Sequence, residues 1–71
     1  MAKPTLIKNR VRELRDRDGI SQAALAEAIG VTRQTVIAIE LEKYSPSLES
    51  AFRIARVFRC GIEDVFWWAG K

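Results

Sequence analysis

Apolar residues fall on helical spacing through most of the chain. Ile7, Val11 and Leu14 recur at steps of three and four, Glu13 and Arg17 form an i,i+4 pair, and Gly19 offers a left-handed stop, which predicts a first helix ending near Asp18. Thr5-Leu6-Ile7 is open to a helical or an extended reading; the extended one is taken here, with Asn9 capping the helix. Ser21 is a good N-cap for an alanine-rich second helix, Gln22 to Ile29, stopped by Gly30. Thr32 caps a third, in which Val36 and Ile39 share a face with Val31 while Arg33, Gln34, Ile37 and Ala38 share another. Tyr44-Ser45-Pro46-Ser47 marks a loop, and Ser47 caps a fourth helix whose period groups Leu48, Ala51, Phe52, Ala55 and Phe58, with Glu49 and Arg53 bracing the exposed side. After Gly61 comes a last turn, Ile62 to Val65, and then Phe66-Trp67-Trp68, which suits a strand better than a helix. There are no internal repeats.

With 71 residues, 48% hydrophobic and 30% charged, the pattern describes one small globular domain, 1–71, with no volume for a deep cavity. That argues against an enzyme. A domain of this size buries only about 60% of its unfolded surface, so a partner subunit is expected to help stabilise it. No apolar run approaches a membrane span, and Met1 to Thr5 lacks the core of a signal peptide, so a cytoplasmic, membrane-free location is expected. Cys60 is the single cysteine and histidine is absent, so neither a disulfide nor an ordinary zinc site is expected, and no cofactor. Glu63 with Asp64, and Asp16 with Asp18, are neighbours on exposed turns without the pocket that acid/base work requires. Net charge is +3 and residues 1–20 carry six basic residues against three acids, a mild pointer to a polyanionic partner. Within that basic run, Lys8, Arg10, Arg12, Arg15 and Arg17 read mainly as a solvated face, Arg10 being the first candidate for a phosphate.

Gln22 to Leu41 carries the most specific signal: helix, four-residue turn, helix. Such a crossing needs a small residue at the contact, Ala26, and a residue tolerating positive φ at the turn, Gly30, with Leu25, Ile29, Val31, Val36 and Ile39 pointing inward. The second of these helices, about 33–41, begins with the one cluster of guanidinium, amide and hydroxyl groups in the chain: Thr32, Arg33, Gln34 and Thr35. Arg33 suits guanine O6 and N7, Gln34 suits adenine N6 and N7, and Ile37 and Ala38 offer apolar contact to a thymine methyl. The helix starts at Ser21 and Thr32 add backbone N–H donors for phosphate.

These residues give the chain its resemblance to the Cro/C1-type (XRE-like) helix-turn-helix regulators, in particular their short single-domain repressors. It is carried by IKNRVRELR (7–15), GISQAALAEAIGVTRQTV (19–36), AIE (38–40), KYSPSLESAFRIARVF (43–58) and IEDVF (62–66), almost the whole chain. The resemblance implies a mainly all-α, five-helix, lambda-repressor-like domain whose chain ends can pair in a small two-stranded antiparallel sheet, Leu6-Ile7 against Phe66-Trp67. It implies binding to double-stranded operator DNA as a two-fold homodimer. It assigns Gln22, Thr32, Lys43 and Tyr44 to the DNA backbone, where Thr35 joins them, and it pairs Arg15 with Glu40 as a support for the reading helix. Two departures stand out. Leu41-Glu42 replaces the usual Asn or Gly, so the third helix is expected to run on by a turn, and Arg59 falls where a glycine normally takes positive φ.

In an extended segment Trp67 and Trp68 face opposite ways, so one is expected on the core and the other on a second subunit. Phe66, Trp67, Trp68 and the last helical turn are therefore the candidate dimer contact. The functional expectation is a dimeric repressor, nucleoid-associated, reading an inverted repeat through the major groove. The competing expectation is a protein-interaction module on the same scaffold, such as an antitoxin masking a toxin, or one serving a protein co-regulator.

Overall fold

Three helix starts each carry the hydroxyl that satisfies an otherwise orphaned backbone donor. Ser21 Oγ accepts from the Ala24 N–H at 3.0 Å, Thr32 Oγ1 from Thr35 at 3.2 Å and Ser47 Oγ from Ser50 at 3.1 Å. The computed structural model describes residues 5–70; Met1 to Pro4, including Lys3 of the basic run, and Lys71 lie outside the described residues. Along the chain the elements are β1 (Ile7–Asn9), α1 (Val11–Asp18), α2 (Gln22–Ile29), α3 (Arg33–Glu40), α4 (Leu48–Val57), α5 (Ile62–Val65) and β2 (Phe66–Trp68). This is the mainly helical, five-helix architecture with a two-stranded antiparallel sheet.

The sheet forms one residue further along than the sequence suggested. Ile7 lies opposite Trp68, Lys8 opposite Trp67 and Asn9 opposite Phe66, bounded by hydrogen bonds from the Arg10 N–H to Val65 O (3.0 Å) and the Ala69 N–H to Leu6 O (2.8 Å). Leu6 therefore precedes the strand and is exposed. Asn9 sits one place before the N-cap of α1, which is Arg10. Its Oδ1 accepts from the Val11 N–H at 3.0 Å while its Nδ2 donates to Ile39 O at 2.9 Å, tying the start of α1 to the end of α3. The Glu13–Arg17 pair does not form. Arg17 instead binds Asp18 at 2.7 Å, and that guanidinium holds the Asp18 carboxyl below its ordinary range.

Helices α2 and α3 cross with Leu25, Ala26 and Ile29 packed against Val36 and Ile39, all buried; Val31 is half-buried at the edge. The fourth helix corrects the sequence reading. Its inward stripe is Ala51, Ile54, Ala55 and Phe58, whereas Leu48 is 72% and Phe52 50% exposed. Both stripes share Ala51, Ala55 and Phe58, which are buried as expected. The one that adds Ile54 is the one turned toward α2 and α5, and among the described residues only that side is covered.

Each of the four longer helices closes on a residue with positive φ. Gly19 (67°) and Gly30 (76°) do so without a Cβ penalty; Glu42 (61°) and Arg59 (57°) do so with one. At the end of α3 the Glu42 N–H donates to Ile39 O and the Lys43 N–H to Ala38 O, both at 3.0 Å. This Schellman-type closure satisfies the last carbonyls, and the Glu42 carboxylate accepts from Lys8 Nζ at 3.0 Å. So α3 stops at Glu40 and does not run on. Arg59 takes the left-handed position expected of it, with the Cys60 N–H on Ala55 O at 3.0 Å and the Cys60 side chain packed at the core edge. Among the described residues no helix is long and apolar enough to cross a membrane.

Candidate nucleic-acid interface

What positions α3 is a nearly buried polar brace. Arg15 donates from Nε to Glu40 Oε2 at 2.5 Å and from Nη2 to Oε1 at 3.1 Å, with Nη1 on Ile20 O at 3.0 Å. The two side chains are only 11% and 6% exposed. Glu40 thereby raises the Arg15 pKa above its ordinary value, so the guanidinium stays charged at any working pH. Gln22 Nε2 also donates to Glu40 Oε1, at 3.1 Å. The amide that the resemblance sends to the DNA backbone is thus partly committed inside the molecule, with one N–H and its carbonyl oxygen unspent.

Held this way, α3 presents Arg33 and Gln34 as exposed side chains without an internal partner among the described residues. Thr32 and Thr35 turn their hydroxyls on each other at 3.0 Å, closing the helix start. Ile37 and Ala38 are half-buried one turn on. Lys43 and Tyr44 follow the left-handed turn and are exposed, their backbone fixed by the closure on Ala38. Arg33, Ile37 and Gln22 line one cleft of about 560 Å³ together with Arg12 of α1.

Arg12, and not the expected Arg10, is the residue of this pair that lines the α3 cleft. Arg10 stacks its guanidinium 4.9 Å from the centre of the Trp67 ring and does not line the α3 cleft; α1 turns the residue two places later toward it. Helical periodicity alone carried a signal for this, since Arg12 and Arg15 lie three apart on one face and Arg15 was already expected to reach α3.

The aromatic run also departs from expectation. Phe66 takes the inward position of β2 and is buried in the core, so it is not available as an interface anchor. Neither tryptophan covers the core: Trp67 is 42% exposed over Arg10 and Trp68 60% exposed beside Gly70, where an added Cβ would lie 2.7 Å from the indole nitrogen. Phe66 and Trp68 share one side of β2 and Trp67 the other, but the core ends at Phe66, so Trp68 runs out beyond it.

Residues 11–65 match the helix-turn-helix family. The chain belongs to the Cro/C1-type helix-turn-helix family. Members of this family are DNA-binding transcription regulators and not enzymes. Among its relatives is an uncharacterised HTH-type transcriptional regulator of Bacillus subtilis, YgzD, 56% identical over 61 residues, which are 86% of this chain and 92% of the relative. An uncharacterised HTH-type transcriptional regulator of Archaeoglobus fulgidus is 47% identical over 60 residues, 84% of this chain and 86% of that one. A solved protein of Bacteroides fragilis superposes with a TM-score of 0.78 at 20% identity, over 86% of this chain and 98% of its own, and so shares the fold.

Proposed function

We propose that residues 1–71 act as one DNA-binding domain and that the protein is a cytoplasmic, nucleoid-associated repressor. It reads an inverted repeat as a homodimer, with one α3 in each of two successive major-groove segments. The observation that carries this reading is the exposed, unpartnered Arg33–Gln34 pair at the start of a helix held by the Arg15–Glu40–Gln22 brace. Arg33 takes a guanine edge, Gln34 an adenine edge, and Ile37 and Ala38 make apolar contact. Thr32, Thr35, Gln22, Lys43 and Tyr44 fix the register on the sugar–phosphate chain. Two copies are needed because one recognition helix spans too few base pairs, and a dyad places half-sites about 34 Å apart.

Selection of bound duplexes from a random pool at about 150 mM salt, where purely electrostatic binding is weak, tests this. The expected result is an enriched inverted repeat with that spacing, on which Arg33→Ala loses about 1–3 kcal/mol and relaxes preference at one position, while Lys43→Ala weakens every sequence alike. Uniform, salt-sensitive binding with no enriched sequence would overturn it. That outcome would favour the protein-interaction reading, an antitoxin-like or co-regulator-binding module, to which the exposed Leu48–Phe52 pair on α4 lends its support.

A further inference from the structure

The cations of this protein are not equally free. Lys8 is bound to Glu42, Arg15 to Glu40, Arg17 to Asp18 and Arg53 to Glu49, while Arg10 lies against Trp67. Two unpaired guanidinium groups remain around the cleft between α1 and α3: Arg33 on the reading helix and Arg12 on the first helix. Between them lie Gln22, with an unspent N–H, and the apolar Ile37. The acidic members of this cleft are Glu40, neutralised by Arg15, and Asp16, one turn after Arg12. An open cleft with a free guanidinium on either side of an amide fits a linear polyanion passing between them, because a phosphodiester needs donors along its path and no enclosure.

We propose that this cleft seats one sugar–phosphate strand of the bound duplex and that Arg12 is its phosphate-positioning residue. The inference rests on the reading of α3 as the major-groove helix and adds what that reading leaves unassigned, the residue on α1 that holds the adjacent backbone. It replaces Arg10 in that role. With its charge in the cleft, Arg12 sets the roll of α3 in the groove. Asp16 opposes the phosphate and confines the strand to the Arg12 side.

The test is the salt dependence of binding by the 71-residue chain to a selected duplex and to a random duplex of equal length, followed by fluorescence anisotropy. Arg12→Gln should lower the slope of log K against log[salt] by about 0.9 for each phosphate no longer neutralised, on both duplexes, with sequence preference intact. Arg12→Lys should restore the slope, Arg10→Gln should leave it unchanged, and Asp16→Asn should tighten binding several-fold on both duplexes. Arg12 is exposed, so thermal unfolding of Arg12→Gln should match the parent and exclude a folding explanation. If the parent binds DNA but Arg12→Gln keeps its slope, or Arg10→Gln loses it, the seat is overturned and the major-groove reading stands. If the parent binds neither duplex, both fall.

Discussion

Arg15 and Glu40 fix the direction of α3 and with it the side chains proposed to read bases, although neither is itself proposed to touch one. Each is close to fully buried, so each depends on the other: a lone carboxylate or guanidinium left there would keep its desolvation penalty without a partner. Arg15→Ala should therefore cost about 3 kcal/mol or more, the range found for breaking buried pairs, a large part of the roughly 4–10 kcal/mol that a domain of this length holds. Replacing both partners, Arg15→Met with Glu40→Leu, should recover most of that loss, since no charge is stranded. Urea unfolding reads this as a midpoint that falls for the single variant and returns for the double, with similar slopes. A double variant as unstable as the single would show that the brace contributes through geometry that apolar packing does not replace.

At the scale of elements, hydroxyl-capped starts and glycine stops are legible, and a stop that lacks glycine is less so. Ser21, Thr32 and Ser47 are each readable as caps because a hydroxyl before an apolar run has one dominant local use, and all three are caps. The end of α3 is not readable in this way, because Glu42 carries no intrinsic preference for positive φ and takes it under the Schellman closure and the Lys8 contact. The face of α4 escapes the sequence for a related reason. Periodicity gives two overlapping apolar stripes, and only the position of α2 and α5 chooses between them. Arg59 is readable by comparison with a glycine pattern, and it makes a prediction. A non-glycine residue at φ 57° costs about 1–2 kcal/mol, part of which glycine gives back through its freer unfolded chain. Arg59→Gly should gain about 0.5–1 kcal/mol and raise the melting temperature by a few degrees. Glu42→Gly should gain less, because it also removes the half-exposed Lys8 pair, worth at most about 1 kcal/mol. Differential scanning calorimetry would show the order; a lower melting temperature for Arg59→Gly would mean that its side chain contributes more than its backbone costs.

For the whole molecule, the proposed reading requires a surface that brings two copies together, with a dyad that holds both α3 helices on one face of the duplex. Among the described residues, large apolar side chains are exposed in three places: Leu6, Trp67 and Trp68 at the sheet, Leu48 with Phe52 on α4, and Leu41 with Tyr44 just after α3, on the side proposed to face DNA. The sheet end has the stronger case on amphipathic grounds. Trp68 sits on the side of β2 that continues from buried Phe66, so a second copy laid there would extend the existing core, and tryptophan is the residue most enriched at energetic centres of interfaces. Leu48 and Phe52 flank Glu49 and Arg53, which already bind each other at 2.6 Å and keep that side of the helix hydrated. Trp68→Ser should therefore weaken self-association by at least about 2 kcal/mol, roughly thirty-fold or more in dissociation constant, while Phe52→Ser leaves it unchanged. Sedimentation equilibrium over a concentration series separates the two, and operator affinity should fall with Trp68→Ser at low protein concentration but recover at high. A monomer produced by Phe52→Ser instead would move the dyad to α4 and leave the tryptophans as a cover for Arg10 and Gly70.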